Sequence, residues 1–231
     1  MDVDNTGARN NLPRSTRARD GSESLIAEQP VVFVVDDDAT VLRSIERLLR
    51  CHGLPVRPFA SPGAFLRAID PSTPGCVLLD LSLPGSTGLD VQTQLLASGN
   101  LQPIVFLSGY GTIRASVQAM KAGAVDFIEK PFEESTLIAT VERAIERDRE
   151  QRARRIEGEA YTARLELLTP RERQVLRHVI AGRLNKQIAA RLGTAEKTIK
   201  VHRARVMYKM SVRSVAELTR VADFIGIQPE A

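Results

Sequence analysis

The 231-residue chain is long enough for two small domains with separate cores, and 32 Lys and Arg against 28 Asp and Glu leave it a net charge of +4. Only two cysteines are present, Cys51 and Cys76, without CxxC spacing, which argues against a disulfide framework or a cysteine zinc site and fits a reducing, cytoplasmic compartment. No run approaches the roughly 20 apolar residues that cross a bilayer, so no membrane partner is expected.

Residues 1–29 are polar, with scarcely any apolar side chains, and are expected to form a disordered extension. From Val31 the pattern alternates between short apolar runs and helical periodicity. Val31 to Val35 reads as a buried strand, and Thr40 to Arg50 as an amphipathic helix stopped by Gly53. Leu54 to Phe59 is a second strand, followed by a short helix opened by Ser61-Pro62. Cys76 to Asp80 is the third strand, Gly88 to Ala97 a helix and Pro103 to Leu107 the fourth strand. Thr112 to Lys121 is helical, Ala124 to Glu129 is the fifth strand, and a last helix begins at Glu133. Five such units predict an α/β domain with a doubly wound, five-stranded parallel sheet.

In that fold the strand ends converge on one crevice. Asp36, Asp37, Asp38, Asp80, Ser108 and Lys130 each close an apolar run, which predicts an acidic pocket with one lysine and one hydroxyl. Crowded carboxylates take up protons unless a hard divalent cation keeps them ionised, so the pocket is suited to phosphate and a metal.

The last helix is predicted to continue through Val141 and Ile145 into the charged stretch Glu146 to Glu157, where alternating signs suit a solvated linker ending near Gly158. Beyond it the composition shifts. Residues 161–231 carry 14 basic against 6 acidic side chains, whereas residues 30–133 carry 8 against 10. A small domain with that excess usually meets a polyanion.

This basic third is predicted to be all helix. Thr169-Pro170-Arg171-Glu172 is a capping box, and Gly182 ends the helix that it opens. Asn185 is expected to cap a short second helix and Thr194 a basic third one, Ala195 to Met210, which together make a helix-turn-helix. Ser214 opens a fourth helix, whose stripe of Val215, Leu218, Val221, Ala222 and Ile225 suits either a dimer contact or the domain's own core.

From Val31 to Ile227 the chain resembles a bacterial two-component response regulator of the FixJ/NarL type. The resemblance rests on Val35-Asp36-Asp37-Asp38, Leu79-Asp80-Leu81-Ser82-Leu83-Pro84-Gly85, Leu107-Ser108-Gly109-Tyr110-Gly111 and Gly123 through Phe132. In the C-terminal half it rests on Leu168 through Arg173, Asn185-Lys186-Gln187-Ile188-Ala189 and Thr198 through Arg203, which look like a LuxR-type module. It implies a flavodoxin-like receiver at 30–147, a helical linker at 148–163 and a helix-turn-helix DNA-binding domain at 164–229.

The resemblance further implies that Asp80 accepts a phosphoryl group from a sensor histidine kinase. Mg²⁺ would be held by Asp37, Asp80 and the main-chain carbonyl of Ser82, with Asp36 acting through water. Ser108, Lys130 and Phe127 would bind the phosphoryl group and relay its arrival, and Lys130-Pro131 would be a cis peptide. Lys200, Val201 and Arg203 would face DNA bases, with Lys186, Lys197, Thr198, Arg205 and Lys209 on phosphates and His202 read as packing.

The expected outcome is a non-enzymatic activator that dimerises when phosphorylated, binds double-stranded promoter DNA and engages RNA polymerase. Ser108 in place of the commoner threonine keeps the hydroxyl, while Ala204 removes a lysine that some relatives carry. Two other readings compete. One is a haloacid-dehalogenase-type phosphatase using Asp36, and the other is a DNA-binding regulator insensitive to phosphorylation.

Overall fold

The computed structural model describes residues 29–109 and 113–230. The expectations for residues 1–28 and for Tyr110, Gly111 and Thr112 lie outside the described residues.

Seven strands and nine helices follow in chain order among the described residues: β1 (Val31–Val35), α1 (Ala39–Cys51), β2 (Val56–Phe59), α2 (Pro62–Ala68), β3 (Gly75–Asp80), β4 (Ser82–Leu83), β5 (Ser86–Thr87), α3 (Gly88–Ala97), β6 (Ile104–Ser108), α4 (Ile113–Lys121), β7 (Asp126–Glu129), α5 (Glu134–Glu166), α6 (Pro170–Ile180), α7 (Asn185–Arg191), α8 (Glu196–Lys209) and α9 (Val215–Phe224). Five of the strands form an all-parallel sheet in the order β2-β1-β3-β6-β7. Its strand order reverses between β1 and β3, which opens the crevice beyond their carboxyl ends.

Both faces of the sheet are covered, so its strands are apolar throughout rather than alternating. Val32, Val34, Leu78 and Val105 pack against Leu42, Ile45 and Leu49 of α1 and Leu137, Val141 and Ala144 of α5. Phe33, Val35, Val77, Leu79 and Phe106 pack against Phe65 of α2, Val91 and Leu95 of α3 and Ala119 of α4.

Three predicted strands begin later than expected. Leu54-Pro55 precedes β2, Pro103 precedes β6 and Ala124-Val125 precedes β7. Pro103 has no N–H for a ladder, yet its carbonyl accepts from Val77 N–H at 2.9 Å, so the run is extended before it is paired on both sides.

The helix that begins after Glu133 also differs from expectation. It is continuous for 33 residues, passes through Gly158 and ends at Glu166. Its charged stretch is not solvated throughout, because Asp148 is only 3% exposed. At the far end Tyr161 and Leu165 pack onto the C-terminal core of Val175, Leu176, Val179, Ile188, Ile199, Val206 and Leu218.

Within the C-terminal helices, Ser214 caps α9 through Glu217 N–H, as expected. Leu218 and Val221 turn inward, so the α9 stripe belongs to the domain's own core. Two caps shift by one residue. Leu184 is the N-cap of α7 and Asn185 its first helical residue, while Ala195 rather than Thr194 is the N-cap of α8. Gln187 takes over at α7, with its side-chain oxygen accepting Leu184 N–H at 2.9 Å.

Candidate functional site: a carboxylate pocket and a basic helix

Strand register builds the pocket. Val35 lies opposite Leu79, so the next residues, Asp36 and Asp80, emerge side by side at the switch point. Asp80 lies opposite Leu107 and Ser108 opposite Glu129, which sets Lys130 at the same edge. Lys130 Nζ bridges the two acids, 2.6 Å from Asp36 Oδ2 and 2.7 Å from Asp80 Oδ1. The second oxygen of each carboxylate is held by a backbone N–H, Asp38 on Asp36 and Ser82 on Asp80, each at 2.9 Å.

Burial pushes the Asp80 carboxyl above the ordinary aspartate range, against the opposing pull of the Lys130 ammonium. For Lys130, burial alone would favour loss of the proton, but hydrogen bonds to Asp36 and Asp80 outweigh it and hold the ammonium more firmly protonated than usual. The lysine is therefore a fixed positive charge beside a carboxylate that resists ionising.

The run of three aspartates divides its labour. Asp36 is buried, whereas Asp37 and Asp38 are exposed. Asp38 is the N-cap of α1, accepting Thr40 N–H at 2.7 Å, a role hidden behind the reading of one acidic nest. Asp37 and Ser82 line a common depression with Leu81, Leu83 and Thr87.

Ser108 is 1% exposed and its Oγ has no hydrogen-bond partner, an uncommon state for a buried hydroxyl. Its carbonyl accepts Lys130 N–H at 2.7 Å, so the hydroxyl and the ammonium ride on directly bonded strands. Phe127, half-buried, lies opposite Phe106 in the ladder and packs on the core beneath. The Lys130-Pro131 peptide is cis.

Gly88 is a site feature that sequence reading passed over. A Cβ there would come within 2.5 Å of the Asp80 carbonyl and 2.9 Å of Phe106, so only glycine lets α3 start against the aspartate's backbone. The signal was a glycine directly after Ser86-Thr87, taken only as the start of a helix.

Helix α8 buries Ile199, Val206 and its C-cap Met210 and leaves Lys197, Thr198, Lys200, Val201 and Arg205 exposed. Positions 197, 200, 201, 204, 205 and 208 share one outward face at three- and four-residue spacing, with Tyr208 86% exposed near its end. Lys186 on α7 is exposed as well. Arg203 is half-buried, donating to Asn185 Oδ1 at 3.1 Å and tying α8 to α7. His202 is half-buried, and its Nδ1 is buried without a partner.

Lys209 meets a different arrangement from the one expected of a phosphate contact. Its ammonium donates to Glu172 Oε2 at 2.7 Å and to the Leu167 carbonyl at 3.0 Å. The acid that completes the α6 capping box thus captures the lysine from the end of α8.

Comparison with known proteins places both halves. Residues 32–142 match the response regulator receiver domain and residues 166–222 the luxR family of bacterial regulatory proteins. Nodulation protein W of Bradyrhizobium diazoefficiens is 42% identical over 90% of this chain and 91% of its own length. The chain belongs to the response regulators of the FixJ/NarL type.

Another similar response regulator is TodT of Pseudomonas putida, 42% identical over 84% of this chain and 85% of that protein. Among solved structures, the response regulator StyR matches with a TM-score of 0.73 at 42% identity, covering 84% of this chain and 98% of its own. Full-length FixJ from B. japonicum matches with a TM-score of 0.53 at 39% identity, over 86% of this chain and 98% of its own. As a response regulator, the protein pairs a receiver domain with a LuxR-type DNA-binding domain, an arrangement that implies a kinase partner and DNA binding. No helix among the described residues is long and apolar enough to cross a membrane.

Proposed function

We propose that the protein is phosphorylated on Asp80 by a sensor histidine kinase and then dimerises on promoter DNA as a cytoplasmic transcriptional activator. The observation that carries this reading is the single ammonium of Lys130 shared by Asp36 and Asp80, next to a buried hydroxyl with no partner. An oxygen of the ionised Asp80 carboxylate forms the bond to phosphorus as the phosphohistidine N–P bond breaks, and the leaving imidazole takes up a proton from solvent. Lys130 then pairs with the phosphoryl oxygens, and Ser108 Oγ donates to one of them. The strand carrying Ser108 and the half-buried Phe127 follow that contact, which changes the surface around α4, β7 and α5.

The donor set suits Mg²⁺. Asp37 and Ser82 line one depression, Ser82 two residues along the chain from Asp80; the carboxylates of Asp37 and Asp80 and the Ser82 carbonyl would be hard oxygen donors to the ion, with Asp36 acting through water. When bound, Mg²⁺ neutralises charge on the transferring phosphoryl oxygens.

The outward face of α8 enters the major groove. Lys200 and Val201 read bases from that face and Arg203 joins them by releasing Asn185 Oδ1, while Lys186, Lys197, Thr198 and Arg205 hold phosphates. A dimer places two such helices on half-sites about one DNA turn apart and recruits RNA polymerase. The receiver unit spans 30–147, the connecting helix 148–163 and the DNA-binding unit 164–229. Catalysis on a separate substrate has no part in this reading.

The test uses the full chain, a small acyl phosphate donor and labelled phosphate. Asp80→Ala should abolish incorporation and the gain in DNA affinity that follows it. Label retained in the variant and mapped to Asp36 would favour a phosphatase, and unchanged DNA stimulation would refute the assignment.

A further inference from the structure

The end of the sheet far from the carboxylate pocket carries a second buried charge cluster. Asp148, more than three turns into α5, accepts the Gly75 N–H at 2.8 Å with Oδ2, and the same oxygen receives Arg152 Nε at 2.6 Å. Arg152 continues across to the loop before β3, donating to the carbonyls of Ser72 at 2.7 Å, Pro71 at 3.0 Å and Thr73 at 2.7 Å. Four of the five N–H bonds in one guanidinium are thereby spent on a single turn and one acid.

That turn is preshaped. Asp70 Oδ1 accepts Ser72 N–H at 2.8 Å, and Gln102 holds the Thr73 carbonyl from the other side at 2.6 Å. Gly75, with φ of +140°, brings its backbone so close to β1 that a Cβ would fall 1.9 Å from the Val31 carbonyl oxygen. No simple face of a solvated helix needs any of this, since an exposed ion pair contributes little.

We propose that Asp148 and Arg152 form a clamp that fixes the direction of α5 against the receiver, so that bending between the two domains is confined to residues 153–157. Residues 153–157 are exposed, whereas a Cβ at Gly158 would already meet the Phe224 ring at 3.4 Å and Tyr161 packs on the same ring. Between the Arg152 clamp and the Gly158 contact lie five residues, about 7.5 Å of helix. A change at the pocket therefore moves the DNA-binding domain as a lever on a short, stiff joint instead of releasing it on a loose tether. The part of this that concerns DNA rests on the phosphorylation reading above, whereas the mechanical part does not.

The mechanical part is tested in the full chain with spin labels on Gln94→Cys and Arg220→Cys, in a Cys51→Ser background. Cys76 will not interfere, because complete burial pushes its thiol up to about 12. The parent should give one narrow inter-label distance, and Arg152→Ala should broaden it at least twofold. Arg149→Ala, which loses only a 3.9 Å surface pair on the same helix, should leave it narrow. Asp148→Asn keeps an acceptor for Gly75 N–H but drops the charge that holds Arg152, so it reads the same quantity with less risk to folding. Distances as narrow as the parent's in both clamp variants overturn the proposal.

For signalling, stimulation of DNA affinity by phosphate, on the order of tenfold in the parent, should fall below about twofold in Arg152→Ala while Asp80 is labelled as fully as in the parent. Full stimulation with a broadened joint overturns the lever. A parent that shows no stimulation sinks the phosphorylation reading and leaves the clamp to the distance measurement.

Discussion

Glu172 and Lys209 meet at 2.7 Å across the C-terminal domain, joining the first turn of α6 to the last turn of α8. Glu172 is 2% exposed and also accepts Thr169 N–H at 2.9 Å. Burial alone would raise its carboxyl, but Lys209 and Thr169 together draw it below the usual glutamate range. The folded state thus favours the ionised acid, so its contribution to stability is present above the ordinary glutamate range and is lost as pH falls through the lowered value.

Lys209→Ala should therefore act on the fold rather than on DNA. Stranding a buried carboxylate should cost about 3 kcal/mol in urea unfolding of the C-terminal transition. The salt dependence of DNA binding should not change. A stable variant whose salt slope drops by about one unit would return Lys209 to the phosphate-contact set.

Asp80→Asn should stabilise the receiver in metal-free buffer at neutral pH. Burial raises the wild-type carboxyl, so the unfolded chain ionises more readily than the folded one, and the native state loses stability as pH rises through that interval. Asparagine does not ionise and can still accept from Lys130. The advantage should disappear below the ordinary aspartate range, where both states of the wild type are protonated. Thermal melts from pH 3 to 8 in chelator check this, and a neutral-pH loss of stability would contradict it.

Lys186→Ala removes an exposed charge at the start of α7 that touches no acid among the described contacts. If it holds a DNA phosphate, affinity should fall by a similar factor on specific and random duplexes, and the slope of log K against log salt should drop by about one. An unchanged slope removes Lys186 from the interface.

Gly75→Ala should be among the most damaging single-methyl changes in the receiver. The added Cβ would collide with the Val31 carbonyl, and the φ of +140° is one that side chains rarely adopt. A loss of about 4 kcal/mol or more is expected from denaturant unfolding. A loss under about 1 kcal/mol would mean that β1 and β3 do not pair in this register.

Much of this protein was legible in its amino-acid order because short-range physics writes it there. Periodicity placed the strands of the parallel sheet and the helices to within a few residues, except the far end of α5, which runs past Gly158 to Glu166, and Thr169-Pro170-Arg171-Glu172 and Ser214 announced their caps. Asp36, Asp80, Ser108 and Lys130 could be grouped in advance, since a parallel sheet sends all its strand ends to one edge whatever lies between them.

Tertiary packing alone decided which polar groups far apart in the chain pair. Lys209 turning to Glu172 and the Asp148–Arg152 clamp gripping Gly75 and the carbonyls of residues 71–73 join groups whose choice of partner depends on which surfaces the fold brings within about 3 Å. An acid in a charged helical stretch looks the same in sequence whether it faces water or, like Asp148, a backbone N–H 73 residues away. Hydrophobic periodicity is repeated along a segment and so survives in the order of residues, whereas a buried hydrogen bond is a single long-range event that leaves no periodic trace.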